Sequence, residues 1–193
     1  MKMTSFRSWK FVLIFLLLLP GIAAPAGGEA IRYQSTRENY QMPDVTLLTQ
    51  EGKRVRFKDF LVSDRPVLVD FIFCTCSTIC PVLSASFVNL QSKLGADSGS
   101  VHLVSISIDP ENDTPRVMKE YLKRYRGKPG WDFLTGSLKD IVQVRRAFDS
   151  YVENKMSHQP LTFIRRPKDG VWIRLYGIMS TEELLTEIKK AGT

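Results

Sequence analysis

Apolar and polar positions follow two different periods along this chain, and the periods predict strands and helices in a definite order. Val67–Phe73 is a nearly continuous apolar run, as expected of a strand that is covered on both faces. Pro81–Leu94 has apolar residues at spacings of three and four, which predicts a helix with one buried face. Val101–Ile108 is a second strand rich in β-branched residues, and Thr114-Pro115 is a typical start of the next helix.

The second half of the chain continues this alternation. Trp131–Leu134 is a short apolar strand, and Ser137 is a capping residue for another helix. Leu161–Ile164 and Val171–Tyr176 flank a polar turn that contains glycine, which predicts a hairpin. Ser180, with a glutamate three residues later, is typical of the start of a closing helix.

Two shorter segments near the start of the pattern predict a further hairpin. Val45–Leu48 and Arg54–Phe57 flank a turn that contains Gly52. Strands that alternate with helices, followed by a hairpin and a final helix, are typical of the thioredoxin-like α/β fold. We therefore expect a central mixed β-sheet flanked by helices, with an N-terminal β-hairpin extension.

Length and composition fit one domain behind an export signal. A chain of 193 residues with 44% hydrophobic content can bury its own core, so its three cysteines are not needed as a disulfide framework. Residues 1–26 have a basic start, the apolar core Phe11–Leu19 and the small-residue site Ala24-Pro25-Ala26, which together predict a signal peptide. A linker or N-terminal arm at 27–40 and the thioredoxin-like domain at 41–193 complete the predicted division.

The leader and the charge indicate where the protein works and what it does not bind. The apolar core of the leader is shorter than the ~20 residues that a spanning helix needs. We therefore expect an exported, periplasmic protein, which is membrane-associated if the leader is not cleaved. The net charge of +7 falls to +4 without residues 1–26, because that segment holds three basic and no acidic residues. This modest excess, without a recognition motif, argues against a nucleic-acid partner.

Cys76 and Cys80 are the residues that indicate chemistry. They directly follow the first long strand, and Cys80 is followed by Pro81 at the predicted helix start. Cysteines four residues apart at a helix start lie on roughly the same face. The helix N-terminus favours the thiolate, which is both a nucleophile and a metal ligand. The pair can therefore form a disulfide or bind a soft metal ion.

The predicted topology adds an imidazole to this pair of thiols. Functional groups of such sheets gather beyond the carboxyl ends of the parallel strands. If Leu161–Ile164 runs antiparallel to its neighbours, the loop before it lies at the same edge, and His158 faces the two thiols. Two thiolates and one imidazole suit copper, although zinc binds the same donors.

Nearby residues have structural as well as functional interpretations. Cys74 is interpreted first as a small buried residue and second as a reserve ligand or resolving cysteine. Met156 could offer a thioether to copper or pack within its loop, and His102 is interpreted as structural. Asp109 is interpreted as part of a turn before a capped helix, with the orientation of a ligand or docking partner as a secondary role.

Four motifs in order give the chain a family resemblance. They are the strand followed by Cys76-x-x-x-Cys80-Pro81, the segment Ser107–Pro115, the segment Trp131–Gly136, and His158 before the last hairpin. Over about Met42 to Lys190 the chain resembles the Sco/SenC family of copper-binding, thioredoxin-fold proteins. By that resemblance, Cys76, Cys80 and His158 are the ligands of a copper ion.

The resemblance also implies a function and partners. It implies a metallochaperone that assists assembly of the copper centre of cytochrome c oxidase, with Cys76 and Cys80 as a redox pair that gates metal binding. Its partners would be a copper-accepting oxidase subunit and a thiol reductant protein, and its position would be near a membrane. The alternative is a metal-free thiol–disulfide oxidoreductase for exported proteins, an enzymatic role that the sequence leaves open. Pro160 favours it, because a proline here is typical of thioredoxin-like redox proteins, where it is commonly cis.

Overall fold

The computed structural model describes residues 33–192, and the predicted signal peptide at 1–26 lies outside them. The described residues contain a single mixed sheet of eight strands. The strands are β1 (Gln34–Glu38), β2 (Thr46–Thr49), β3 (Arg54–Arg56), β4 (Val67–Ile72), β5 (His102–Ser107), β6 (Trp131–Thr135), β7 (Leu161–Arg165) and β8 (Trp172–Tyr176). Their order across the sheet is β1-β8-β7-β4-β5-β6-β2-β3.

Five helices connect or follow these strands. They are α1 (Phe57–Phe60), α2 (Cys80–Leu94), α3 (Pro115–Arg124), α4 (Leu138–Ala147) and α5 (Thr181–Gly192). Helix α2 packs against α5, and α3 packs against β6. The predicted caps form: the Thr114 hydroxyl accepts the N–H of Val117, and the Ser137 hydroxyl accepts the N–H of Asp140. The thioredoxin-like fold with a central mixed sheet flanked by helices is therefore confirmed.

The register of the central strands brings three loops to one edge of the sheet. Strand β5 runs parallel to β4, so the segment after Ser107 lies beside the segment after Ile72. Strand β7 runs antiparallel to β4, with Thr162 opposite Asp70. The start of β7 therefore lies beside the end of β4. Loops that are distant in sequence meet there because the two strands run in opposite directions.

The core is densely aromatic, and it fixes the strands that end at this edge. All six residues of β4 are buried. The Phe148 ring lies 4.8 Å from that of Phe163 and 5.5 Å from that of Phe71, in edge-on arrangements. Trp172 of β8 packs edge-on against the same Phe148 ring at 4.9 Å. Phe148 directly follows α4, so the end of this helix and strands β4, β7 and β8 are held by one cluster of side chains.

Three local features differ from the sequence pattern. Gln34–Glu38, within the predicted linker or arm, forms strand β1 and pairs with β8. Phe57 starts the short helix α1 instead of ending a strand, and its side chain is fully buried. Gly95–Ser100, between the predicted helix and the second predicted strand, forms a 3₁₀ helix. No helix within residues 33–192 has the length and apolar character to cross a bilayer.

Candidate metal centre

The end of β4 and the start of α2 position the two cysteines. After Ile72 the chain turns, and the N–H of Cys76 donates to the carbonyl oxygen of Phe73 at 3.1 Å. Helix α2 then begins at Cys80 with a proline in its first turn. The Cys80 side chain is completely buried, and Cys76 is 7% exposed. Backbone geometry and burial therefore fix the positions of both sulfurs.

The two thiols differ in acidity. Burial raises the pKa of Cys76, but hydrogen bonds from the Thr78 hydroxyl and from the backbone N–H groups of Cys80 and Thr78 outweigh it, and the pKa is lowered to about 7. The Thr78 oxygen lies 3.4 Å from the Cys76 sulfur. A substantial fraction of Cys76 is therefore thiolate at neutral pH.

Cys80 shifts in the opposite direction. Burial raises the pKa of its thiol well above the ordinary value, and the charges of Cys76 and Asp70 raise it further. The N–H of Phe73, at 3.4 Å from the Cys80 sulfur, opposes this rise without cancelling it. Cys80 is therefore protonated at neutral pH, and a metal ion that binds here must displace this proton.

His158 reaches the site from the loop before β7. It directly follows a single 3₁₀ turn, Lys155–Ser157. Its Nδ1 lies 2.9 Å from the carbonyl oxygen of Lys155, which can only accept a hydrogen bond, so the proton is on Nδ1 and the lone pair is on Nε2. Burial and the positive charge of Arg145 lower the pKa of the ring, which keeps it neutral. A neutral imidazole with an unprotonated Nε2 is the form that binds metals.

The three donor atoms converge. Nε2 of His158 lies 3.3 Å from the Cys80 sulfur, and the ligand atoms of Cys76, Cys80 and His158 all lie within 4.8 Å of one another. Three donors at about 2.0–2.3 Å from one ion in a trigonal arrangement are about 3.5–4 Å apart. The spacing thus fits a soft cation with little movement, and the two sulfurs are in reach of each other for thiol–disulfide chemistry.

The loop after β5 contacts both the cysteine segment and the turn before His158. Asp113 accepts the backbone N–H of Cys74 at 3.1 Å and the Ser107 hydroxyl at 2.6 Å, and its side chain is completely buried. Asp109 pairs with the Lys155 ammonium at 2.6 Å. One carboxylate therefore holds the cysteine segment, and the other holds the turn that precedes His158.

The remaining sequence candidates lie around the centre with different roles. Cys74 is buried, and burial raises the pKa of its thiol, as expected of a small buried residue. Met156 is 56% exposed, so packing within its loop does not account for it. Nε2 of His102 lies 2.9 Å from Oδ2 of Asp132, which agrees with a structural role for this histidine. No peptide bond within residues 33–192 is cis, so the bond before Pro160 is trans, unlike the commonly cis bond of thioredoxin-like redox proteins.

Sequence reasoning missed three contributors to the site. Thr78 was not singled out, although its hydroxyl helps lower the pKa of Cys76. Lys155 was not singled out either, since its role depends on Asp109, which is 46 residues away. Phe73, the last residue of the predicted buried strand, contacts the His158 ring edge-on at 5.5 Å. Of these three residues, only Thr78 could have been found from the sequence, because its hydroxyl lies two residues after Cys76.

The domain is thioredoxin-like, and a dithiol and an imidazole meet at the carboxyl edge of its parallel strands. This combination defines a class of proteins with a soft-metal or redox centre. Within that class, the chain belongs to the SCO1/SenC family, whose model matches residues 34–192. It is 32% identical over 192 residues to the SCO1 protein homolog of Bacillus subtilis, covering 94% of both chains. The predicted family is therefore confirmed.

Solved structures of relatives show the same fold. One is BsSco, described as a member of the Sco family of cytochrome c oxidase assembly proteins with a disulfide switch, at 32% identity and a TM-score of 0.67. That comparison covers 80% of this chain and 95% of BsSco. Another is Bradyrhizobium japonicum ScoI with copper bound, at 27% identity and a TM-score of 0.63, covering 76% of this chain and 96% of ScoI.

Proposed function

We propose that this protein is a copper metallochaperone that assists assembly of the copper centre of cytochrome c oxidase, with Cys76, Cys80 and His158 as the copper ligands. The observation that carries the proposal is the convergence of these three donors within 4.8 Å. Soft thiolates select Cu(I), and imidazole accommodates both oxidation states of copper. Membership of the SCO1/SenC family and the copper-bound ScoI relative support copper over zinc.

Copper is the cargo, and the dithiol controls whether it can be loaded. A disulfide between Cys76 and Cys80 would leave only the imidazole as an intact donor. A reductant protein with its own dithiol would donate two electrons and two protons to that disulfide, and would itself become oxidised. Copper binding then releases the protons that the thiols still hold, so its affinity rises with pH. The disulfide switch of the BsSco relative supports this sequence of events.

The predicted signal peptide supports a proposal for the cellular location of the protein. We propose that residues 1–26 export the protein to the periplasm, where it meets a copper-accepting oxidase subunit at the membrane. Retention of the leader would keep the protein membrane-associated.

Anaerobic copper reconstitution tests the ligand set. Reduced wild-type protein should bind stoichiometric copper, and Cys76→Ser and Cys80→Ser should not. His158→Ala should bind copper much more weakly while its dithiol still oxidises. Cys74→Ser is the matched control and should bind like wild type. Unchanged copper affinity in His158→Ala would remove the imidazole from the ligand set.

A metal-free thiol–disulfide oxidoreductase is the second candidate function. The low pKa of Cys76 favours it, because a thiolate at neutral pH can attack a disulfide while Cys80 resolves the mixed disulfide. The spacing of three residues between the cysteines is against it, since two are usual in redox proteins. Catalytic disulfide reduction by metal-free protein, retained in His158→Ala, would establish this function.

A further inference from the structure

The two halves of the metal centre are attached to the fold in different ways. The cysteines belong to the end of β4 and the start of α2, whereas His158 belongs to a short loop. The turn before it, Lys155–Ser157, is closed by hydrogen bonds to Asn154, one from the N–H of Met156 to the side chain at 2.9 Å and one from the N–H of Ser157 to the carbonyl at 2.9 Å. These bonds shape the loop but do not attach it to the sheet.

Besides the hydrogen bond from the N–H of Gly177 to the Pro160 carbonyl oxygen at 2.9 Å and the contact of His158 with Cys80, the loop is attached through the side chain of Lys155. Its ammonium lies 2.6 Å from Oδ2 of Asp109 and 5.3 Å from the centre of the Phe73 ring. Phe73 in turn contacts His158 edge-on. The side chain of Lys155 therefore connects the histidine loop to the loop after β5 and to the segment that precedes the cysteines.

Asp109 is a fixed anchor for this lysine. Its side chain is 8% exposed, and both carboxylate oxygens accept hydrogen bonds from the Asn112 amide, at 3.0 and 3.1 Å. Its backbone N–H donates to the Ser107 hydroxyl at 3.0 Å. Because the carboxylate is already held in place, the ion pair positions the lysine and not the reverse.

Lys155 also acts on the ring through its backbone. Its carbonyl oxygen accepts the Nδ1 proton of His158 and so directs Nε2 toward the sulfurs. The ammonium fixes the loop, and the carbonyl fixes the tautomer and the orientation of the ligand. Partners of this kind around a ligating histidine typically change metal affinity by about 10–100-fold.

We propose that the ion pair between Lys155 and Asp109 is a latch that holds His158 beside the thiols, and that Lys155 is a positioning residue for Cu(II) more than for Cu(I). The inference rests on the proposed function. Cu(I) is bound well by two thiolates alone, whereas Cu(II) depends more on the imidazole nitrogen. Opening the latch therefore selectively weakens Cu(II) binding.

Two substitutions of Lys155 and one matched control test the latch. Lys155→Gln keeps the stem and the carbonyl but removes the charge, and Lys155→Arg keeps the charge. Lys119→Gln is the control, because Lys119 makes an ion pair with Glu51 of the same length, 2.6 Å, between α3 and the β2–β3 turn. Each reduced protein is titrated anaerobically with Cu(II), followed by electron paramagnetic resonance, and with Cu(I) against a competing chelator.

We expect Lys155→Gln to lose about tenfold in Cu(II) affinity and to show weaker nitrogen coupling in its spectrum, with Cu(I) affinity changed by less than about threefold. Lys155→Arg and Lys119→Gln should match wild type within about threefold. Asp109→Asn should reproduce the effect of Lys155→Gln, and the double variant should be no worse than either single one.

Three results would overturn the latch while leaving the proposed function intact. They are wild-type Cu(II) affinity and spectrum in Lys155→Gln, an equal loss of Cu(I) and Cu(II) affinity, and additive losses in the double variant. Failure of the wild-type protein to bind copper in either oxidation state would instead overturn the proposed function itself.

Discussion

The cysteine half and the histidine half of the metal centre are built differently, although their donor atoms are neighbours. Cys76 lies between a fully buried strand and a 15-residue helix, and Cys80 is the first residue of that helix and completely buried. His158 follows a three-residue turn, and the adjacent Met156 is 56% exposed. The core of the domain fixes the first half, whereas the second is attached by side-chain contacts and by the hydrogen bond from the N–H of Gly177 to the carbonyl oxygen of Pro160. Loosening the histidine half would therefore not require the cysteine half to unfold.

The largest expected effect is on the free energy of unfolding, and it concerns an acidic residue in β4, the strand that leads to the cysteines. Asp70 of β4 is completely buried, and within the described residues its carboxylate oxygens have no hydrogen-bond partner at normal distance. Burial raises the pKa of this carboxyl group to about 7, while Ser105 on the neighbouring strand opposes the rise. The carboxyl group is therefore largely protonated in the folded protein below neutral pH.

This acid should make folding stability depend on pH. Between about pH 4 and pH 7 the unfolded chain ionises Asp70 while the folded protein keeps it protonated, so the free energy of unfolding falls as pH rises. The loss is up to about 4 kcal/mol, at 1.36 kcal/mol per pKa unit. Asp70→Asn should lack this slope in urea unfolding measured from pH 4.5 to pH 8. Parallel pH profiles for the two proteins would contradict the assignment.

The next prediction concerns the different reactivities of the two thiols in the cysteine half. The pKa of Cys76 is lowered to about 7, whereas that of Cys80 is raised by burial. We expect iodoacetamide to alkylate Cys76 at least about 100-fold faster than Cys80 at pH 7, with a rate that increases through pH 7 as the thiolate forms. Mass spectrometry of quenched samples assigns the modified residue. Equal rates for both cysteines would remove the proposed difference in acidity.

Loss of Asp113 should damage the cysteine half more than loss of Lys155 damages the histidine half. Asp113→Ala leaves the N–H of Cys74, which the carboxylate accepts at 3.1 Å, buried without a partner. The expected cost is about 2 kcal/mol in the free energy of unfolding. Asp113→Asn keeps an oxygen acceptor and should cost less. Chemical denaturation of the two variants measures this difference, and equal losses would show that the hydrogen bond is not the cause.

The smallest expected effect is on the stability of the histidine half. His158→Ala removes a partly buried ring that contacts Phe73, and Lys155→Gln removes a partly exposed ion pair. Each should change the free energy of unfolding by about 1 kcal/mol or less. Thermal unfolding of the metal-free variants tests this. A loss as large as that of Asp113→Ala would remove the contrast between the two halves.

The sequence predicted the fold well because the strongest patterns are local. The apolar run at Val67–Phe73 and the periodic positions of Pro81–Leu94 each match an element to within one residue at either end. Strand β1 was missed because Gln34–Glu38 is mostly polar and exposed, and its pairing with β8 supplies the order that its composition does not. The short helix α1 was missed because a single turn leaves almost no periodic signal.

The amino-acid sequence by itself determined the family and the fold and indicated the three candidate donor residues, because motif spacing and hydrophobic period are properties of the chain alone. Tertiary structure decided the rest. It set the different acidities of Cys76 and Cys80, because burial and hydrogen bonds depend on what surrounds each sulfur. It also joined Lys155 to Asp109 across 46 residues, since the antiparallel direction of β7 returns its loop to the edge where β4 and β5 end.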